Sequence, residues 1–278
     1  MTNVISFQGE PGAYSHQACV EMFPEMEALP CNTFEGAVAA VKAGRAELAM
    51  LPVENSTYGR VADIHHLLPE TGLHIIGEHF VRVHINILAV PGTKLKQVKH
   101  AMSHTVLLGQ CRGFLKEHGI SPRTGADTAG SAKSVADSAV PEVAALASSL
   151  AGKIYGLETL AANIEDNQHN TTRFLVMAPE PIKTTGPNTM TTFVFQVRNI
   201  PAALYKAMGG FATNGVNMVK LESYMVGGSF TATQFYADIE GHPGDPAVDR
   251  ALEELGYFTT HLDILGVYPM AKFRKSVD

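Results

Sequence analysis

The chain has no tryptophan and only three cysteines, Cys19, Cys31 and Cys111, lying far apart. An odd number at such spacings excludes a disulfide framework, and no zinc or redox spacing is present. The thiols fit a reducing compartment, so the expected location is cytoplasmic. No basic run or stripe occurs, and the net charge is −6. That pattern argues against nucleic acid and against an anionic membrane surface as partners. The short Lys272-Phe273-Arg274-Lys275 tail reads as a solvated terminus. No apolar run approaches the length that spans a bilayer. Met1 to Phe7 has neither a basic n-region nor a long apolar stretch, so no signal peptide is expected. Twelve histidines are present, yet none falls into H-E-x-x-H or a similar pattern. No metal site and no cofactor are therefore expected.

What is present is length for two domains, 278 residues with an even spread of charge. Val4 to Phe7 reads as a buried strand ending in the turn Gly9-Glu10-Pro11-Gly12. A helix follows with Ser15 as its cap, and its free N–H groups favour an anion. This turn matches neither G-x-G-x-x-G nor a P-loop, so no nucleotide site is expected. Phe34 to Lys42 has a helical apolar face, and Glu47 to Leu51 is a strand. The polar loop from Val53 to Gly59 comes next, then a helix from about Arg60 to Leu68. Asn55 and Ser56 in that loop either hydrogen-bond a ligand or shape the turn. Leu73 to Val90 is β-rich and long enough to pass from one lobe to another. Ser103 and His104 stand at the start of a helix running from Thr105 to about His118, with Gln110 and Cys111 along it. His104 reads as a cap or as a general acid or base. Asp127 and Thr128 open a further helix, and Val143 to Ala147 is a strand. Strand and helix alternate with short turns, which predicts two α/β lobes, largely parallel in their sheets, around a cleft.

The cluster Asn170-Thr171-Thr172-Arg173-Phe174 places hydroxyls and a guanidinium at the mouth of an apolar strand. Arg173 offers a planar fork for a carboxylate, and Thr172 a hydroxyl. The same cluster also reads as an ordinary strand edge. A Pro/Gly/Thr linker follows near 181–188. Beyond it, strands at Thr189–Val197, Val216–Met225, Phe230–Ile239 and His261–Val267 alternate with helices from Pro201 and Asp245. Gly227-Gly228 reads as a hairpin turn. The order β-α-β-β-α-β is ferredoxin-like.

Three segments carry a resemblance: Gly9-Glu10-Pro11-Gly12-Ala13-Tyr14-Ser15-His16-Gln17-Ala18, Leu51-Pro52-Val53-Glu54-Asn55-Ser56-Thr57-Tyr58-Gly59-Arg60-Val61, and Asn170 to Phe174. In this order, over nearly the whole chain, they resemble the prephenate dehydratase family. The C-terminal module resembles an ACT domain. The resemblance implies a two-lobed, periplasmic-binding-protein-like (type II) catalytic domain at 1–180, with lobes of about 1–82 with 160–180 and about 83–159. A ferredoxin-like ACT domain at 189–270 would follow. It implies decarboxylating dehydration of prephenate, with Thr172 and Arg173 as catalytic residues. Asn55, Ser56, Ser103, Gln110, Thr128 and Phe174 would bind substrate. Phenylalanine would act as effector at Asn199, Ala202, Ala203, Leu204, Asn217, Leu221, Glu222 and Ser223, in a homo-oligomer, dimer or tetramer, joined through ACT domains. Two departures stand out. Thr105-Val106 replace the family's Pro-Gln, and Tyr224-Met225 replace the Arg-Pro of its Glu-Ser-Arg-Pro. Arogenate dehydration, or amino-acid sensing without catalysis, are the competing readings.

Overall fold

The computed structural model describes residues 3–225 and 232–276, so the Gly227-Gly228 turn and the first residues of the third strand lie outside them. Contacts divide the chain into two compact units, 1–61 with 79–174, and 62–78 with 175–278. Among the described residues no helix is long and apolar enough to cross a membrane.

The first lobe of unit one is built from β1 (Val4–Gln8), α1 (Tyr14–Met22), β2 (Glu27–Cys31), α2 (Phe34–Lys42), β3 (Leu48–Asn55) and the short β4 (Gly59–Arg60). β1 pairs in parallel with both β2 and β3. A central strand is covered on both faces, which is why Ile5 and Phe7 are fully buried. The chain then runs through α3 (Ala62–Leu67) into β5 (His74–Arg82) and crosses into the second lobe. That lobe holds β6 (Asn86–Ala89), β7 (His100–Ser103), α4 (Thr105–Gln110), α5 (Arg112–Glu117), β8 (Ser121–Thr124), α6 (Thr128–Ser138), β9 (Val143–Ala147), α7 (Ser149–Tyr155) and β10 (Glu158–Ala161). The chain returns in β11 (Thr171–Ala178). The first sheet has the order β2-β1-β3-β11-β5, with β4 on β3; the second has β10-β6-β9-β7-β8.

The second sheet is mixed rather than largely parallel. β7 runs parallel to β8 and β9, but β6 is antiparallel to β9 and β10. A strand that arrives straight from the neighbouring sheet needs no helical crossover, so it is free to run against its neighbours. The helix expected from Thr105 to His118 breaks at Cys111, whose φ of −121° leaves the helical region. α1 begins ahead of its expected cap: Ala13 is the N-cap and Ser15 lies inside the helix.

The lobes are joined where α7 meets the turn after β1. Ser148 Oγ donates to the Gly12 carbonyl at 2.6 Å, and the Tyr155 hydroxyl to the Pro11 carbonyl at 2.8 Å. Gly12 has φ +93°, and a Cβ there would sit 2.6 Å from Ala151 Cα. Only glycine meets both conditions.

Unit two contains β12 (Thr189–Val197), α8 (Ala203–Thr213), β13 (Met218–Met225), β14 (Ala232–Glu240), α9 (Pro246–Phe258) and β15 (Thr259–Pro269). This is the expected βαββαβ order, closed as an antiparallel sheet β13-β14-β12-β15. Phe193, Phe195, Phe235, Ala237 and Ile239 face Ala207 and Phe211 of α8 and Val248, Ala251 and Leu255 of α9. The alternate residues point to the other sheet face. There α3 packs, with the His65 ring edge-on to Tyr236 at 4.8 Å and His66 edge-on to Tyr224 at 5.3 Å. The fully buried Glu78 carboxylate takes the Ala271 N–H and both arms of Arg274 at 2.7 and 2.9 Å. These contacts assign 62–78 to unit two, so the compact units are not cut at the 181–188 linker alone.

α8 does not begin at Pro201. Ala202 is its N-cap in the left-handed region, φ +62°. An alanine there carries strain of about 1 kcal/mol that glycine avoids. Ala202→Gly is expected to raise the urea midpoint by up to about 1 kcal/mol of stability, read by equilibrium unfolding. A lower midpoint would show that the strain is absent.

Candidate active site

A cavity of about 490 Å³ opens in unit one, lined by residues of both its lobes. This size suits a small-molecule ligand. Its floor begins at the carboxyl ends of the first lobe's strands, with Gln8 ending β1, Gly9 and Glu10 after it, Asn32 after β2 and Pro52 in β3. Ligands collect at such strand ends because helix N-termini start there. Ala13, Tyr14 and Ser15 bring the start of α1; Asp127 and Thr128 bring the start of α6. Thr172 and Phe174 reach in from β11, and His104, Val106 and Leu107 from α4 and its cap.

The two helix starts differ. Ala13 offers no side-chain cap and the first turn of α1 carries no acid, so its leading N–H groups remain available. The Asp127 carboxylate caps α6 by taking the Gly130 N–H at 2.6 Å. The cavity lining contains no lysine or arginine among the described residues; its ionisable carboxyls are Glu10 and Asp127. An anion bound here therefore meets backbone N–H groups and hydroxyls rather than side-chain cations. His104 Nδ1 accepts the Val106 N–H at 3.3 Å, so a neutral ring carries its proton on Nε2.

Side chains in the wall and behind it set its shape. Tyr14 donates to the His84 carbonyl at 2.9 Å. Desolvation, then Cys111 and Glu165, hold its phenol far above the usual range, so it stays protonated. The Cys111 thiol is pushed up to about 12, by burial first and then by Asp166 and Glu165, and is unreactive at neutral pH. His16 stacks on Phe7 at 5.1 Å and accepts the Gly12 N–H at 3.0 Å. Burial lowers its pKa. The unfolded chain therefore takes up this proton at a higher pH than the folded one. The neutral ring's contribution is complete above the ordinary histidine value of about 6.5 and is lost as pH falls below it. Melting temperature is expected to drop between about pH 7.5 and 5.5, with a shallower drop for His16→Gln. Equal slopes for the two proteins would remove His16 as a source.

The residues expected from sequence divide. Thr172, Phe174 and Thr128 line the cavity. Arg173 does not. Alternation along β11 turns it to the other side, where it is 2% exposed and its Nη1 donates to Glu54 Oε1 at 2.9 Å. Ser103 is fully buried and donates to the Leu146 carbonyl at 2.7 Å, fastening β7 to β9. Gln110 is buried outside the cavity lining. Ser56 is bound to the chain before β11: its Oγ donates to the His169 carbonyl at 2.7 Å and takes the Thr171 N–H at 2.9 Å. Asn55 lies behind Thr172, with its Nδ2 at 2.7 Å from Asn170 Oδ1 and 3.0 Å from Thr172 Oγ1. Gln8, Tyr14 and Asn32 were not anticipated. Their signal is position, a polar residue at or directly after a strand end or at a helix start.

Unit two has a cavity of about 280 Å³ lined by Asn199, Ala202, Ala203 and Leu204 with Val197, Arg198, Ile200, Tyr205 and Phe235. Asn217, Leu221, Glu222 and Ser223 lie outside that lining. Leu221, Glu222 and Ser223 belong to the edge strand β13, where Lys220 Nζ pairs with Glu222 at 3.3 Å.

Comparison with known proteins agrees with this architecture. The family model described as prephenate dehydratase matches residues 5–182. A bifunctional N-acyl-homoserine lactone acylase/prephenate dehydratase of Komagataeibacter europaeus is 52% identical over 274 residues, 98% of each chain. Arogenate dehydratase/prephenate dehydratase 1, chloroplastic, of Arabidopsis thaliana is 39% identical over 96% of this chain and 72% of its own length. The crystal structure of prephenate dehydratase from Arthrobacter aurescens in complex with L-Phe superimposes with a TM-score of 0.87 at 30% identity, covering 96% of this chain and 90% of that one.

Proposed function

Because the chain belongs to the prephenate dehydratase family, we propose that it converts prephenate to phenylpyruvate, carbon dioxide and water. The ring carboxylate departs as carbon dioxide, and its bonding pair enters the ring. The C4 hydroxyl leaves with its own bonding pair and takes a proton to become water. Aromatisation drives the step, so the protein has to hold a dianion and assist the leaving oxygen. The observation that carries this reading is one cavity wall bearing the Thr172 hydroxyl while the N-termini of α1 and α6 open into the same space. The uncapped N-terminus of α1 suits a carboxylate, whereas Asp127 already occupies the start of α6. A threonine hydroxyl is a weak acid, so orientation and charge stabilisation supply most of the rate. Phe174, Val106 and Leu107 give the ring an apolar bed. Phenylpyruvate formation from prephenate by the purified protein tests the reading; no product would end it.

The βαββαβ unit supports an ACT-type regulatory role. Phenylalanine would sit in the cavity at Asn199 and Ala202 to Leu204, and the open edge of β13 would pair with a second copy. Feedback then means that phenylalanine prefers the less active of two states. Turnover unaffected by phenylalanine would remove this part alone.

The two relatives bring a second and a third substrate. Arogenate, named for the Arabidopsis protein, differs in bearing an amine where prephenate has a keto group; relative rates on the two decide between them. The Komagataeibacter relative, matching along 98% of this chain, raises hydrolysis of N-acyl-homoserine lactones. Release of fatty acid from such a lactone is its direct assay.

A further inference from the structure

A threonine hydroxyl assists a leaving oxygen only if its hydrogen points at it, and the groups behind Thr172 decide that direction. Asn55 Oδ1 accepts the backbone N–H groups of Thr57 at 2.9 Å and Tyr58 at 3.0 Å. Both partners can only donate, so the atom they meet is the amide oxygen. The amide nitrogen is thereby turned the other way, toward Asn170 Oδ1 at 2.7 Å and Thr172 Oγ1 at 3.0 Å. Each of its two hydrogens has an acceptor. Asn170 is 2% exposed. Its carbonyl is held by the Val83 N–H at 2.9 Å and by Arg82 Nη1 at 3.2 Å. Thr172 Oγ1 thus receives a hydrogen from behind. Its own hydrogen has no acceptor among the described residues, and Thr172 lines the cavity.

We infer that Asn55 is a positioning residue, seated by Asn170, which forces the Thr172 hydroxyl to act as a donor into the cavity. The inference rests on the prephenate reading above and reassigns Asn55 from substrate contact to control of hydrogen-bond polarity. Asn55→Asp inverts that polarity with almost no change of shape. Its carboxylate still accepts the Thr57 and Tyr58 N–H groups, so the turn is kept. Asn170 Nδ2, buried with no partner in the parent protein, gains an acceptor once its amide turns over. Thr172 must then donate backward to the carboxylate, and its hydrogen leaves the cavity.

The test is a cycle of Asn55→Asp, Thr172→Val and the double variant, assayed on prephenate. Asn55→Asp is expected to lower kcat by about tenfold to 100-fold, and to lower it no further in the Thr172→Val background. A residue that binds substrate directly, or a carboxylate that merely repels the dianion, lowers kcat/KM in both backgrounds. That additive result, or normal turnover by Asn55→Asp, overturns the inference. Asn170→Leu provides a second arm should Asn55→Asp fail to fold. It removes the acceptor that seats Asn55, touches neither Thr172 nor the cavity lining, and is expected to lower kcat only while Thr172 is present. Failure of the parent protein itself to act on prephenate would end the functional reading and is seen separately, in the first assay of the cycle.

Discussion

Thr172→Val is expected to lower kcat on prephenate by about 100-fold or more, with little change in stability. The side chain is half-buried on β11, and valine matches its shape on a strand. What is lost is one hydroxyl. Its removal strands one hydrogen of the Asn55 amide, a cost of about 1 kcal/mol against folding. The kinetic loss is larger because water cannot take over a fixed donor role inside the cavity. Urea midpoints and phenylpyruvate formation on the same preparation separate the two effects. A well-folded Thr172→Val protein with near-normal kcat would remove Thr172 from the chemistry.

Arg173→Met is expected to do the opposite, costing about 2–4 kcal/mol of stability while kcat per folded molecule falls less than tenfold. The Arg173 side chain is 1% exposed and its Glu54 partner 29%. Breaking a fully buried ion pair costs about 3–5 kcal/mol, and the partial solvation of Glu54 discounts that figure. Arg173→Lys keeps the charge but loses the planar fork, so it should recover only part of the stability. If Arg173→Met melts like the parent and instead loses prephenate binding, the guanidinium faces the substrate after all.

This contrast shows what the sequence carried and what it did not. The cluster at 170–174 was legible as a candidate site because polar groups crowd the start of an apolar strand, and two of its residues line the cavity. The split between Thr172 and Arg173 follows from strand alternation alone, since neighbours on a strand cannot face one cavity. The ferredoxin-like order of unit two was legible because each strand and helix keeps a clear period. β2 was not: Glu-Ala-Leu-Pro-Cys is short and holds a proline, so Asn32 at its end went unseen. The break at Cys111 lies between Gly109 and Gly113, but single glycines inside a helical pattern do not by themselves end a helix. The placing of α3 with the second unit is tertiary, settled by His65 and His66 meeting tyrosines more than 150 positions along the chain.

The junction of α7 with the turn after β1 bears on how fast ligands come and go. Two-lobed binding folds often work as hinges. Here one edge of the cleft is fastened by Ser148 to Gly12 and by Tyr155 to Pro11, with Ala151 packed where a Cβ would have to go. Swinging the lobes apart along that edge would break both hydrogen bonds and expose the close contact. The cavity-bearing unit therefore has one fastened seam between its lobes. A cavity that is already formed carries little closure penalty when a ligand arrives. A ligand's residence time there is expected to depend on contacts at the rim rather than on slow movement of whole lobes.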